Sequence, residues 1–205
     1  GLRSEFYCRM LAQSDRDIRI LVIEKLAVVK GTEATKRIAV FLNHDDPQIV
    51  KTAFRALGSI DSTVAVKELD TFLHHVDAGR TVEAINTLGM MSAFKRWKKF
   101  LPLLESRVPE IREAAVLNLI RKTGRKAHPY LMKRLKKEEN PEVKKLIFKL
   151  ISKEPDVEVA KNLLVSASSD NDPGIKRLAG WIVGELEERM LFRAMLSLLR
   201  TSDDE

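Results

Sequence analysis

The sequence holds one cysteine in 205 residues, a scarcity that excludes an internal disulfide and any metal site built from several thiolates. Cys8 stands beside Tyr7 and Met10 in a helical pattern, where a thiol packs as a small hydrophobe. Aromatic residues supply only 6% of the chain, and glycine and proline number 9 and 7. An all-β fold would be short of strand formers and turns on that composition. No apolar run approaches the roughly 18–20 residues that span a bilayer. Gly-rich phosphate loops, a Gly-x-Ser-x-Gly turn and a Ser/His/Asp arrangement are all missing. The four histidines, His44, His74, His75 and His128, form neither a His-Glu step nor a His-x3-His pair. No metal ligand, catalytic residue or cofactor is therefore expected. His44 and His74 fall in turns between helices and His128 precedes Pro129, so surface or capping roles are expected for these three. The acidic clusters Asp45-Asp46, Asp170-Asn171-Asp172 and Asp203-Asp204-Glu205 lack the glycine and ligand spacing of a calcium loop and suit helix N-caps.

What is present is a repeat. Short polar turns precede helical apolar patterns at Asp46-Pro47-Gln48-Ile49, Val108-Pro109-Glu110-Ile111, Asn140-Pro141-Glu142-Val143 and Asn171-Asp172-Pro173-Gly174-Ile175. Taking the proline as anchor, with Arg16 and Ala78 in the two units that lack one, positions 16, 47, 78, 109, 141 and 173 step by 31 or 32 residues. Two residues after the anchor come Ile18, Ile49, Arg80, Ile111, Val143 and Ile175. Six after it come Val22, Ala53, Ala84, Ala115, Ile147 and Ala179, and ten after it Leu26, Leu57, Leu88, Leu119, Ile151 and Val183. Those offsets put the three columns on one slowly drifting helical stripe, with a mostly small middle residue that lets neighbouring helices approach. Gly58, Gly89 and Gly184 follow the third column, where a helix ends or crosses another closely.

Amphipathic segments fill the intervals: Thr35 to Asn43, Thr63 to His74, Pro129 to Glu138 and Val157 to Ser168. Each unit then reads as a helix, a short polar turn and a second helix. Pro102 is expected to kink or divide the segment from Ala93 to Ser106.

Asp46-Pro47-Gln48-Ile49, followed by Ala53 and Leu57-Gly58, resembles the HEAT family, whose second helix opens Asp-Pro-x-Val-Arg and continues through Ala to Leu-Gly. The basic residue after the branched position recurs as Arg19, Arg112, Lys144 and Lys176, and is replaced by Val50 and Thr81 in two units. The third unit departs most, with Ala78 and Arg80 at the turn and core columns. The resemblance implies an all-α, right-handed α-α superhelix, a solenoid of about six HEAT-type hairpins plus a partial terminal unit. Unit boundaries are expected near 1–31, 32–61, 62–92, 93–124, 125–156 and 157–188, with a partial unit at 189–205 of a single domain. Gly1 to Gln13 and Arg189 to Arg200 each read as a first helix cut from its setting, so a fragment of a longer chain is expected.

The formal net charge of +7 is uneven. Residues 95–153 hold 18 Lys/Arg against 6 Glu and no Asp, a net of +12, which leaves −5 for the rest. The candidate partner-binding residues are Lys95, Arg96, Trp97, Lys98 and Lys99, then Arg121, Lys122, Lys133 and Arg134. Second helices line the concave face in HEAT-like folds, and there the resemblance adds Arg112, Lys144, Lys145 and Lys149. Such a stretch suits phosphates, an acidic protein or anionic lipid; equally, it suits solvated helix faces with cations gathered at C-termini. Lys136 and Lys137 fit the second description. No aromatic ladder or reading helix accompanies the charge, so base readout is not expected.

The expected function is a non-enzymatic scaffold that binds a protein partner through its concave helical face and the basic stretch of units four and five, in a cytoplasmic setting. No small-molecule substrate is inferred. Two alternatives remain open. One is a HEAT-like nucleic-acid-binding protein or DNA glycosylase, for which Trp97 and Trp181, with Glu185 four residues on, are the residues to weigh against ordinary helix packing. The other is a structural segment joining domains of a larger, membrane-associated protein.

Overall fold

Short oxygen-bearing side chains start the helices where the repeat places them. The computed structural model describes residues 15–153, 157–168, 170, 173–185, 192 and 196. In it, Asp15 accepts a hydrogen bond from the Ile18 N–H at 3.1 Å and opens α1, Arg16–Val29. Asp46 accepts from the Gln48 and Ile49 N–H groups at 2.8 and 3.4 Å and opens α3, Pro47–Ile60. Asp77 does the same for α5, Ala78–Met90, through the Arg80 N–H. Asn140 does so for α8, Pro141–Ile151. These caps satisfy N–H groups that have no partner inside the helix. Proline occupies the first turn of α3, α6 (Pro109–Thr123) and α8, where its missing N–H costs nothing. The remaining second helix is α10, Pro173–Glu185.

Three of the first helices are shorter, at 8 residues each. α2, Thr32–Ala39, tightens into a 3-10 turn over Val40–Asn43, and α4, Thr63–Asp70, into one over Thr71–His74. α7, His128–Leu135, follows a 3-10 turn at Gly124–Ala127, and α9 is Val157–Ser168. The turn from α1 to α2 uses Lys30 and Gly31, both in positive-φ backbone at +57° and +88°. Pro102 divides its segment more completely than a kink: two separate 3-10 turns, Trp97–Phe100 and Pro102–Glu105, replace a helix.

No strand occurs among the described residues. The chain forms two compact parts, Gly1–Phe100 and Leu101–Glu205. In the first, α1, α3 and α5 pack side by side as one layer, with α2 and α4 as the other. In the second, α6, α8 and α10 form one layer, and α7 and α9 pack together against it.

The apolar columns make the core between these layers. Val22, Ala53, Ala84, Ala115 and Ile147, and Leu26, Leu57, Leu88, Leu119 and Ile151, are all buried. The side chains of Ala179 and Val183 lie outside the described residues. The other column is less uniform: Ile49, Ile111, Val143 and Ile175 are buried, whereas Ile18 is 38% exposed. At Arg80 the guanidinium instead reaches the preceding unit's turn, where Nη1 donates to the Leu42 carbonyl at 3.0 Å and Nη2 to the His44 carbonyl at 3.1 Å.

Gly58 marks a close crossing, since a Cβ there would sit 2.9 Å from Cγ2 of Thr87 on α5. Gly184 has open space at the same point. His44 takes the expected capping role, its Nδ1 accepting from the Asp46 N–H at 2.9 Å, and His75 repeats this with Asp77. His128 corrects the expectation of a surface group: it is buried in the first turn of α7. Cys8, the terminal helices expected at Gly1 to Gln13 and Arg189 to Arg200, the cluster at 203–205, and the side chains of Trp181 and Glu185 lie outside the described residues.

Candidate functional site

Part of the basic stretch is consumed in contacts inside the fold. In the first part, Arg96 donates to the Asp70 carboxylate at 3.1 Å and Lys99 bonds the same oxygen. Lys98 places its ammonium 5.9 Å from the centre of the Trp97 ring, within reach of a cation–π attraction. Lys95 is exposed.

In the second part the largest departure is Arg112. It was expected to project to a partner; instead it is 6% exposed and buried against Glu138. Its Nε and Nη2 donate to the two carboxylate oxygens at 2.8 and 2.6 Å, and its Nη1 donates to the carbonyls of Ser106 and Arg107. Arg134 donates to the same carboxylate at 2.9 Å and to Glu105 at 3.1 Å. Burial alone would raise the Glu138 pKa. The Arg112 guanidinium, the Asn140 N–H and Arg134 outweigh it and hold the carboxyl down at about 2. The hydrogen bond to Glu138 raises Arg112 above its ordinary value, against the lowering effect of burial. This cluster joins α6, α7 and the Pro102–Glu105 turn, which is a structural role.

Lys144 is likewise committed, to Asp170 at 2.8 Å. Arg121 donates to Asn118 at 2.7 Å, and Lys122 is half-buried. Position three after the anchor thus keeps one habit in three units. Arg19 bonds His44, Arg112 bonds Glu138 and Lys144 bonds Asp170, so each basic side chain spans to the turn that begins the next second helix.

Lys98, Arg121, Lys133 and Lys149 are exposed, whereas Lys145 is half-buried with its ammonium 3.3 Å from Glu142. Lys145 and Lys149 stand on α8 and help line a groove of about 590 Å³ between α6, α8 and α10, together with Glu113, Glu142 and Arg177. Lys133 lies on α7. The first part has a matching groove of about 560 Å³ between α3 and α5, lined by Lys51, Arg55, Asp61, Glu83, Asn86 and Met90 among others. The expected concave face includes the second helices of residues 1–94, but no charge excess there points to individual residues. Met90, 68% exposed at the end of α5, was the available signal.

Among the described residues, no group of three or more His, Cys, Asp or Glu side chains is placed to hold a metal ion. Nor is any helix among them long and apolar enough to cross a membrane.

No curated protein matches the chain. Among solved structures it is similar to the crystal structure of an engineered protein, 16% identical, covering 94% of this chain and 96% of that one at a TM-score of 0.48. The family model that matches is HEAT repeats, over residues 5–89. That segment contains the Asp46-Pro47 turn, the Ala53 and Ala84 columns and the layered helices α1 to α5, so residues 5–89 are similar to HEAT repeats.

Proposed function

We propose that this chain is a non-enzymatic HEAT-repeat scaffold that binds polypeptide along the grooves between its second helices. The observation that carries the reading is the mixed lining of those grooves. Lys51, Arg55, Asp61 and Glu83 line the one in the first part, and Glu113, Glu142, Lys145, Lys149 and Arg177 the one in the second. A phosphate polymer meets carboxylates in either groove, whereas a peptide can answer both signs and lay apolar side chains on Met90 or Leu146. Helices at repeat spacing offer many modest contacts of this kind, so affinity accumulates along the array.

Selection from a displayed library of random 16-residue peptides tests this, followed by binding measurements on R55E/E83K and K149E/R177E. The expected result is enriched peptides whose affinity falls at least tenfold on one of the two variants. Enriched peptides insensitive to both, or no enrichment over an unrelated helical protein, would sink the reading.

A further inference from the structure

We propose that the exposed lysines around α7, namely Lys126, Lys133, Lys136 and Lys137, form with Tyr130 a surface that binds single-stranded nucleic acid through its phosphodiester backbone. Residues 121–137 contain eight Lys/Arg and not one Asp or Glu. Arg121 is tied to Asn118, and Arg134 bridges Glu105 and Glu138, so two of the arginines are used inside the protein. The four lysines are exposed and make no ion pair with any described residue. Glu105 and Glu138 are themselves neutralised by arginine, so they do little to cancel the lysine field, and the first exposed carboxylate past the stretch is Glu139.

The placement is ordered. Tyr130, Lys133 and Lys137 are separated by three and four positions, which puts them on one stripe of α7 and the turn that continues it. Lys126 lies before the helix and Lys136 beside Lys137, so the cations extend along a helix about 12 Å long. Four cations so placed meet successive phosphates of a flexible single strand.

Three features choose the ligand class. Lysine is a compact point charge that takes phosphate oxygens without a fixed geometry, so a row of lysines suits a flexible polyanionic backbone. α7 buries its own aliphatic side chains, Leu131, Met132 and Leu135, so its exposed face has nothing aliphatic to enter an acyl layer. Tyr130 is 39% exposed in the middle of the lysines, a platform on which an unpaired base stacks without regard to its identity. This surface lies on the first-helix layer, so it does not rest on the peptide-binding reading of the second-helix grooves.

The test is fluorescence anisotropy of labelled fifteen-nucleotide poly(U) and oligo(dT) at 50 and 200 mM salt. Four phosphate contacts predict a log–log salt slope of about −3, a loss of roughly fifty-fold between those concentrations. K126Q/K133Q/K136Q/K137Q is expected to remove binding, and Y130A to weaken it at least about fivefold. The control K25Q/K30Q/K36Q/K67Q removes the same charge from exposed positions in the first part and is expected to retain binding. Circular dichroism and melting of each variant separate loss of ligand from loss of fold. Three outcomes overturn the proposal: equal loss in the control, absence of binding at 50 mM salt, or capture by phosphatidylserine vesicles or polyglutamate with no affinity for the oligonucleotides.

Discussion

Arg112 and Glu138 face each other through two parallel N–H···O bonds of 2.8 and 2.6 Å, in a setting where the carboxylate side chain is wholly buried. Twenty-six residues separate them, and the pair fastens the start of α6 to the turn before α8. Removing one partner leaves the other charge buried. R112M is therefore expected to cost about 3–5 kcal/mol, even with Arg134 still in place. R112M/E138L, which removes both charges, should recover most of the loss. Urea unfolding of the two variants and the parent checks this, and equal destabilisation by both would show that the charges are not the cause.

The same pair sets a pH dependence. Glu138 is held at about 2 in the folded protein, against roughly 4.3 for an unperturbed glutamate. A folded pKa below the unfolded one means that the stabilisation is present above the unfolded value and is lost as pH falls through the folded one. About 3 kcal/mol should disappear between roughly pH 5 and pH 1. The acid limb of the stability curve is expected to flatten in E138Q. An unchanged limb would assign acid unfolding to other carboxylates.

Gly58 and Gly180 should respond oppositely to alanine. A methyl group at Gly58 meets Thr87 Cγ2 at 2.9 Å, and overpacking of this kind costs about 1–3 kcal/mol. T87S removes that methyl group and should relieve most of the penalty in the double variant. Gly180 lies inside α10 with nothing within 4 Å, so G180A is expected to stabilise by about 0.5–1 kcal/mol through helix propensity alone. Melting temperatures of the three single variants and the double variant decide it.

Arg80 holds the turn before α3 through the carbonyls of Leu42 and His44 and the side chain of Asn43. R80M keeps much of the aliphatic bulk and abandons those acceptors, at an expected cost of about 1–3 kcal/mol. Hydrogen exchange should quicken at amides of residues 43–50 before the rest of the first part. Uniform quickening across that part would instead point to general loss of packing.

Much of the architecture is legible in order along the chain. Asp46, Asp77 and Asn140 cap the helices their neighbours begin, because a short side-chain oxygen next to a helix start bonds locally whatever packs around it. The alanine and leucine columns are buried because a 3.6-residue period leaves one face apolar. His128 and Arg80 escape such a reading, since proximity to a turn does not reveal whether a neighbouring layer covers the side chain. The segment at 97–105 is also under-read: Pro102 announces a break, but not that both halves become 3-10 turns.

The candidate surface is where sequence and structure part. Composition by itself determined that residues 95–153 carry an excess of positive charge, that this charge sits on helical repeats, and that no local catalytic motif accompanies it. Tertiary structure alone decided which cations are available. Glu138 lies 26 residues from Arg112 and Asp170 lies 26 from Lys144, so their partners arrive from the next repeat. A linear count registers each charge but not its neutralisation, because an ion pair is made by stacking one hairpin on another. The lysines of α7 stay exposed for the complementary reason: they stand on the face of that helix which no packed layer covers.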